Sequence, residues 1–217
     1  MFSIIIPTFN NLEYLKILIN SLKRNSKFKN EIILHVNEGA DGTIQYVKEN
    51  NIKHTYTKNN VGLCTATNLA ASKATSNYIL YSHDDMYFCP DWDQFLMNEI
   101  SNLNTNAYYI SGTMIEKSSG HIQLDCGNDF KDFDEEKLLR EHKKIKFFDH
   151  QGSHWAPHLI HKSYWDKIGG FSEEFNPGIG SDPDLNMKLW KSGVRIFKGI
   201  SKFRVYHFGS IVLRKKK

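Results

Sequence analysis

The chain is short of cysteine and of long apolar runs, and each shortage excludes a class of protein. Cys64, Cys89 and Cys126 are odd in number, far apart and in no C-x-x-C pair, so neither a disulfide framework nor a thiolate zinc site is indicated. A reducing cytoplasm is the default compartment for such a sequence. The apolar run Phe2 to Ile6 stops at Pro7, too short for a signal peptide or a membrane span, so any membrane contact is expected to be peripheral. No G-x-G-x-x-G follows any predicted strand, which argues against a dehydrogenase.

What is present is an ordinary globular composition, 40% apolar and 24% charged over 217 residues, with no repeat and no low-complexity stretch. The length suits one domain with one substantial core. The net charge of +4 equals the charge of Arg214, Lys215, Lys216 and Lys217 alone. A nucleic-acid binder spreads basic residues along a face, whereas this terminal cluster suits a solvated tail or weak attraction to anionic lipid.

The first half alternates strand and helix signals. Phe2 to Ile6, Glu31 to Val36, Ile52 to Thr57 and Tyr78 to Tyr81 read as strands. Between them lie a helix carrying Leu12, Leu15, Leu18, Ile19 and Leu22, a short one through Ile44 and Val47 capped by Asp41, and a small-residue segment from Asn60 to Ala74. This order predicts right-handed βαβ crossovers and an α/β fold with a mostly parallel central sheet covered by helices on both faces. In the second half, helices are expected at Trp92 to Leu103, Lys162 to Ile168 and Asp184 to Lys191, with a partly helical stretch from Asp132 to Lys146. Strands are expected near Ala107 to Ser111, Val194 to Phe197 and Phe203 to Tyr206.

Ligands of such sheets collect at the carboxyl ends of the strands. There, directly after Tyr78 to Tyr81, stand His83, Asp84 and Asp85. Adjacent carboxylates repel and cost desolvation unless a cation lies between them and a partner, so the pair reads as a divalent-metal and phosphate site; the alternative is a turn cap before Pro90. His150, His154, His158 and His161 invite a zinc reading, but Pro157 interrupts any helix that would bring His154 and His158 together.

Ser-Ile-Ile-Ile-Pro-Thr-Phe-Asn at 3–10, the strand and turn at 31–43, His-Asp-Asp at 83–85, Gly-Gly-Phe-Ser-Glu-Glu-Phe at 169–175, Gly-Ser-Asp-Pro-Asp-Leu at 180–185 and Val-Tyr-His-Phe at 205–208 together resemble inverting family 2 glycosyltransferases. The resemblance implies a GT-A-like fold, with a nucleotide-sugar half over about 1–88, an acceptor-side half over about 89–210 and a basic tail at 211–217. It implies transfer of a sugar from a nucleoside-diphosphate donor, UDP-sugar favoured, to an acceptor hydroxyl in polysaccharide or glycoconjugate synthesis. The acceptor is a glycan, a lipid-linked sugar or a protein.

In that frame Asp85 is the ligand of a divalent metal, Mn²⁺ or Mg²⁺, and His207 completes the metal site; a lone histidine otherwise reads as core or surface. His83 stands where the family has its first aspartate, either contacting the nucleoside or binding metal, and Asp84 holds the metal's water shell. Pro7, Thr8, Phe9 and Asn10 would line the donor, with Asn37 or Glu38 reading the base; Asn60, Gly62 and Asn68 either approach the nucleotide or form a turn and helix cap. Asp182 matches the family's catalytic base, although Asp before Pro183 also reads as a helix N-cap. His154, Trp155 and Asp184 are assigned to the acceptor side, Asp184 with a structural role as its competing reading. Ser181, where members often carry Glu, Asn37 and His83 depart from the family pattern and keep a second reading open, a scaffold of the same fold without turnover. A nucleotidyltransferase shares the sheet and the metal need, but no glycine-rich basic loop follows the first strand.

Overall fold

The computed structural model describes residues 1–152 and 155–209. Along the chain run β1 (Ser3–Phe9), α1 (Leu12–Asn25), β2 (Glu31–Asn37), α2 (Thr43–Glu49), β3 (Lys53–Thr57), α3 (Leu63–Ala71) and β4 (Tyr78–Tyr81). Then follow β5 (Met86–Phe88), α4 (Trp92–Ser101), β6 (Tyr108–Glu116), β7 (Ile122–Gln123), α5 (Glu135–Glu141) and β8 (His150–Gln151). The chain continues through β9 (His158–His161), α6 (Lys162–Ile168), α7 (Ser181–Lys191) and β10 (Ile196–His207). Among the described residues the strands form one sheet in the order β3-β2-β1-β4-β9-β6-β10-β5, with β7 on β6 and β8 on β10.

The first four strands are parallel, as the βαβ spacing predicts. Beyond them β9 runs antiparallel between β4 and β6, and β5 runs antiparallel to β10, so the second half is mixed. The apolar β1 is buried throughout except its last residue, because β2 and β4 flank it while Leu15, Leu18, Ile19 and Leu22 of α1 join its core cluster. A second cluster, including Tyr14, Tyr87, Leu138, Tyr206 and Phe208, lies apart from the main core. All three cysteines are free and buried.

Several boundaries differ from those the sequence predicts, the following for local reasons. Pro7 does not end β1. The Ile5 carbonyl accepts from Ser82, so Pro7, two residues on, turns its missing N–H to the same side, where pairing with β4 has stopped at Ile5 while β2 stays paired through Phe9. Gly112 does not end β6; an added Cβ would meet Pro157 and Phe203 within 3.1–3.2 Å, so the glycine permits close packing inside a strand. The two late strands are one, β10, whose register slips between Ile200 and Arg204. Arg204 is buried there and donates to the carbonyls of Ser201, His142 and Ile145, tying the segment after α5 to the bulge. Finally α7 begins at Ser181 with Gly180 as its cap (φ 84°), so Asp182 sits inside the first turn and is not the N-cap. Asp41 likewise is not the cap of α2, which is Gly42; its carboxylate accepts from Leu12 N–H and Thr43 N–H and joins the starts of α1 and α2.

Candidate active site

The β4–β5 turn brings His83 and Asp85 to the carboxyl edge of the sheet, and antiparallel pairing of His207 with Met86 sets the end of β10 beside that turn. His83, Asp85 and His207 can each present a ligand atom such that all three lie within 4.8 Å of one another. His207 Nε2 is 3.3 Å from Asp85 Oδ1, and its Nδ1 is 2.6 Å from Glu116 Oε1 at the end of β6. His83 thus stands with Asp85 and His207 in a group that could hold a metal ion. The geometry also adds Glu116, which the sequence reading missed because it stopped the strand at Ser111.

The electrostatics suit a cation. Burial pushes the His83 imidazole down to about 4, only partly countered by Asp85, so it is a neutral ligand at physiological pH. Burial also acts to lower His207, but Asp85 and Glu116 outweigh it and raise the imidazolium to about 9. Without an ion, the His207 proton is what balances Asp85; a divalent ion among the three side chains would take over that role. A carboxylate on the far nitrogen of a ligating histidine fixes the ring and raises its basicity, as Glu116 does here. The donor set therefore fits a divalent cation, and its two imidazoles suit Mn²⁺ better than Mg²⁺. Glu116→Gln is expected to weaken Mn²⁺ binding about 10–100-fold, read by calorimetry or by the free-Mn²⁺ paramagnetic resonance signal. Unchanged affinity would remove Glu116 from the site.

A cavity of about 300 Å³ adjoins this cluster and is lined by ten of the residues singled out from sequence: Pro7, Thr8, Phe9, Asn37, Asn60, Gly62, His83, Asp84, Asp85 and Asp182. Leu63, Tyr81, Pro177, Gly178, Ile179 and Ser181 complete its wall. Gly62 (φ 86°) is the point where the Asn176 side chain crosses; a Cβ would lie 2.3 Å from its Oδ1. That side chain accepts from Cys64 N–H and donates to Thr65, fixing the 176–180 segment against the start of α3.

Other assignments change once side chains are placed. Asp84 lines the cavity, but its oxygens accept from Thr8 Oγ1 at 2.7 Å and Asn11 Nδ2 at 3.0 Å, so it braces the turn against β1. Burial and the neighbouring Asp85 push it up to about 7 against those hydrogen bonds. Asn68 spends its amide on both backbone groups of Phe171, and Asp184 accepts from Ser172 Oγ at 2.6 Å; both tie helices to the 170–175 segment. Asn10 donates to Glu38 and neither lines the cavity. Asn37 Oδ1 accepts from Val61 N–H and Thr57 Oγ1, which leaves its amide nitrogen as the donor available to a base. Asn60 caps the turn by accepting from Gly62 N–H while also facing the cavity.

Trp155 is exposed, its ring 5.8 Å from His121, whereas His154 lies outside the described residues, as does the basic tail. Among the described residues the remaining histidines do not assemble a zinc site: His158 is fully buried between Tyr81 and Tyr109, and His161 bonds Ser163 at the start of α6.

A parallel first half joined to a mixed second half, with a histidine and carboxylate cluster at the junction, matches a GT-A-type glycosyltransferase fold. Residues 3–164 match the model of glycosyl transferase family 2, and the chain belongs to that family. The fold is similar to that of S. aureus TarS 1–349 in complex with UDP-GlcNAc, with a TM-score of 0.72 and 18% identity over 96% of this chain and 60% of that one. It is also similar to GalNAc-T7 with UDP, GalNAc and Mn²⁺, with a TM-score of 0.71 and 18% identity over 95% of this chain and 43% of that one. The chain thus spans about 60% of the TarS fragment it matches. No curated protein sequence matches it. No helix among the described residues is long and apolar enough to cross a membrane.

Proposed function

We propose that the chain transfers a sugar from a nucleoside-diphosphate donor, a UDP-sugar in the first instance, to an acceptor hydroxyl by a single inverting displacement that depends on a divalent metal. The observation that carries this reading is one cavity bounded by the ends of β1 and β2, by the turn of His83 and Asp85, and by Asp182 on α7. Pro7, Thr8 and Phe9 wall the nucleoside, and the Asn37 amide reads the base edge. His83, Asp85 and His207 would hold a metal whose charge neutralises the departing diphosphate. Asp182 takes the proton of the attacking hydroxyl. The structures of TarS with UDP-GlcNAc and of GalNAc-T7 with UDP, GalNAc and Mn²⁺ support a donor of this kind.

The test is a calorimetric and thermal-shift panel of UDP-, GDP-, TDP- and CMP-sugars with and without Mn²⁺. One nucleotide class is expected to stabilise the wild type in the presence of Mn²⁺, and Asp85→Ala is expected to lose that stabilisation. No binding by any donor would move the assignment to a scaffold without turnover.

A further inference from the structure

A second cavity, about 520 Å³, lies where the C-terminal end of α7 meets β8 and the start of β10, and no step above uses it. Its wall includes Trp190, Arg195, Asp149, His150 and Gln151. The Trp190 indole is 50% exposed, unusual for so large a ring. It is also held: the Arg195 guanidinium stacks 4.4 Å from the ring centroid and donates to the carbonyls of Trp190 and Val194 at 2.6 and 2.8 Å. Asp149 is fixed by Ser201 N–H at 2.8 Å and by Lys198 at 3.1 Å. The His150 ring packs against Gly199, where a Cβ would come within 2.2 Å, and neither of its nitrogens has a hydrogen-bond partner among the described residues.

The chemistry of this wall is specific. A flat apolar plate is bordered by the Asp149 carboxylate, the Gln151 amide, the Arg195 guanidinium and Lys198, whose charge is paired with Asp149 and Glu99, while the His150 ring nitrogens are buried behind this wall. A free phosphate or nucleotide tail would want concentrated cations without a carboxylate. A sugar ring, with one apolar face and a rim of hydroxyls, matches both the plate and the rim.

The cavity is also in line with the first site. Asp182, Asn186 and Trp190 are spaced i, i+4, i+8, so they form one row along α7. Eight residues of helix separate the first from the last by about 12 Å. Asn186 Nδ2 donates to the Asp182 carbonyl at 2.8 Å, and the side chain also meets the buried Tyr109 hydroxyl, so it links the row to the core.

We propose that the second cavity is a distal acceptor subsite: the acceptor is a saccharide chain whose reacting hydroxyl lies at Asp182 and whose remote sugar stacks on Trp190. The proposal rests on the glycosyl-transfer reading for the placement of the reacting end, whereas glycan binding at Trp190 is measurable without any donor. The labelled protein is applied to a printed array of defined oligosaccharides in the absence of nucleotide. Capture is expected for a group of related glycans about three sugars long or longer, matching the length of the row. Trp190→Ala is expected to weaken capture about tenfold, Trp190→Phe to retain most of it, and Asp85→Ala to leave it unchanged. A thermal melt with a midpoint and cooperativity like those of the wild type checks that Trp190→Ala is folded. No capture, capture indifferent to Trp190→Ala, or capture competed away by UDP would overturn the subsite. Persistent capture by a protein that binds no donor would uphold the subsite and overturn the transferase reading instead.

Discussion

Asp182→Asn is expected to lower sugar transfer by about 10²–10⁴-fold and to leave donor affinity unchanged, because the substitution removes a proton acceptor and preserves size and shape. The buried phenols and thiol beside Asp182 cannot take its place as base. Among the described residues, the groups whose titration Asp182 influences include Tyr81, Tyr109 and Cys64. Burial raises both tyrosines well above the usual phenol range and pushes the Cys64 thiol up to about 11, so all three stay protonated and none can accept the hydroxyl proton at neutral pH. His158, which packs on Tyr81 and Tyr109, is pushed down to about 3 by burial and is a poor proton acceptor. Backbone geometry should survive, because the contact from Asn186 is to the residue's carbonyl and not to its side chain. Steady-state release of UDP, with calorimetric titration of the donor, separates the two quantities. A fall in donor affinity equal to the fall in rate would place Asp182 in donor binding and leave the base unassigned.

The parts of this site that were legible in the sequence are those that depend on order along the chain. Apolar runs ending in polar turns mark β1, β2 and β4, and a parallel sheet puts their carboxyl ends on one edge; eight residues from those ends and from α7 line one cavity for that reason, joined by Asn60 and Gly62 from the turn before α3. What spacing does not contain is the direction of each side chain. Asp84 and Asp85 are adjacent and chemically identical, yet one braces β1 through Thr8 and Asn11 while the other meets His207. Asn68 and Asp184 stand at substrate positions of the family frame, each with a structural role as its alternative, and both side chains bond to the 170–175 segment. Glu116 was missed because its partner is 91 residues away in sequence. A glutamate closing a buried strand, once Gly112 is understood as a packing glycine, was the available signal. The extended β10 with its bulge at Arg204 was read as two strands because the polar residues at the bulge interrupt the pattern even though the backbone runs on.

The metal-free protein is expected to be most stable close to pH 6.5 and to lose stability steeply below it. His35, His142 and His158 are buried in the fold, and burial holds their imidazoles down, to about 4, 4 and 3, from the ordinary 6.5. Arg204 and Lys143 add to the effect at His142, and His83 adds to it at His158. A folded-state pKa below the unfolded one means that the unfolded chain binds protons first as pH falls. The stability is therefore fully present above 6.5 and lost as pH drops through the folded values near 4 and 3. Each such histidine contributes a slope of at most about 1.4 kcal/mol per pH unit in that window; His83, held down to about 4, adds a fourth and Asp84, raised to about 7, opposes one, so the net slope approaches about 4 kcal/mol per pH unit. For a chain of this length that is roughly a 10 °C fall in Tm per pH unit, large against a total stability of about 5–15 kcal/mol. His207 works in the other direction: its pKa is raised to about 9, so its contribution is complete below 6.5 and is lost as pH rises through 9. Saturating Mn²⁺ should remove this alkaline limb, because the ion displaces the His207 proton, and leave the limb set by His35, His142 and His158 in place. Thermal midpoints from pH 4 to 9, with EDTA and with Mn²⁺, test both limbs. His158→Gln, which cannot titrate, should flatten the acid limb by about a third of its slope, and an acid limb of unaltered slope in that variant would show that the buried imidazoles do not control it.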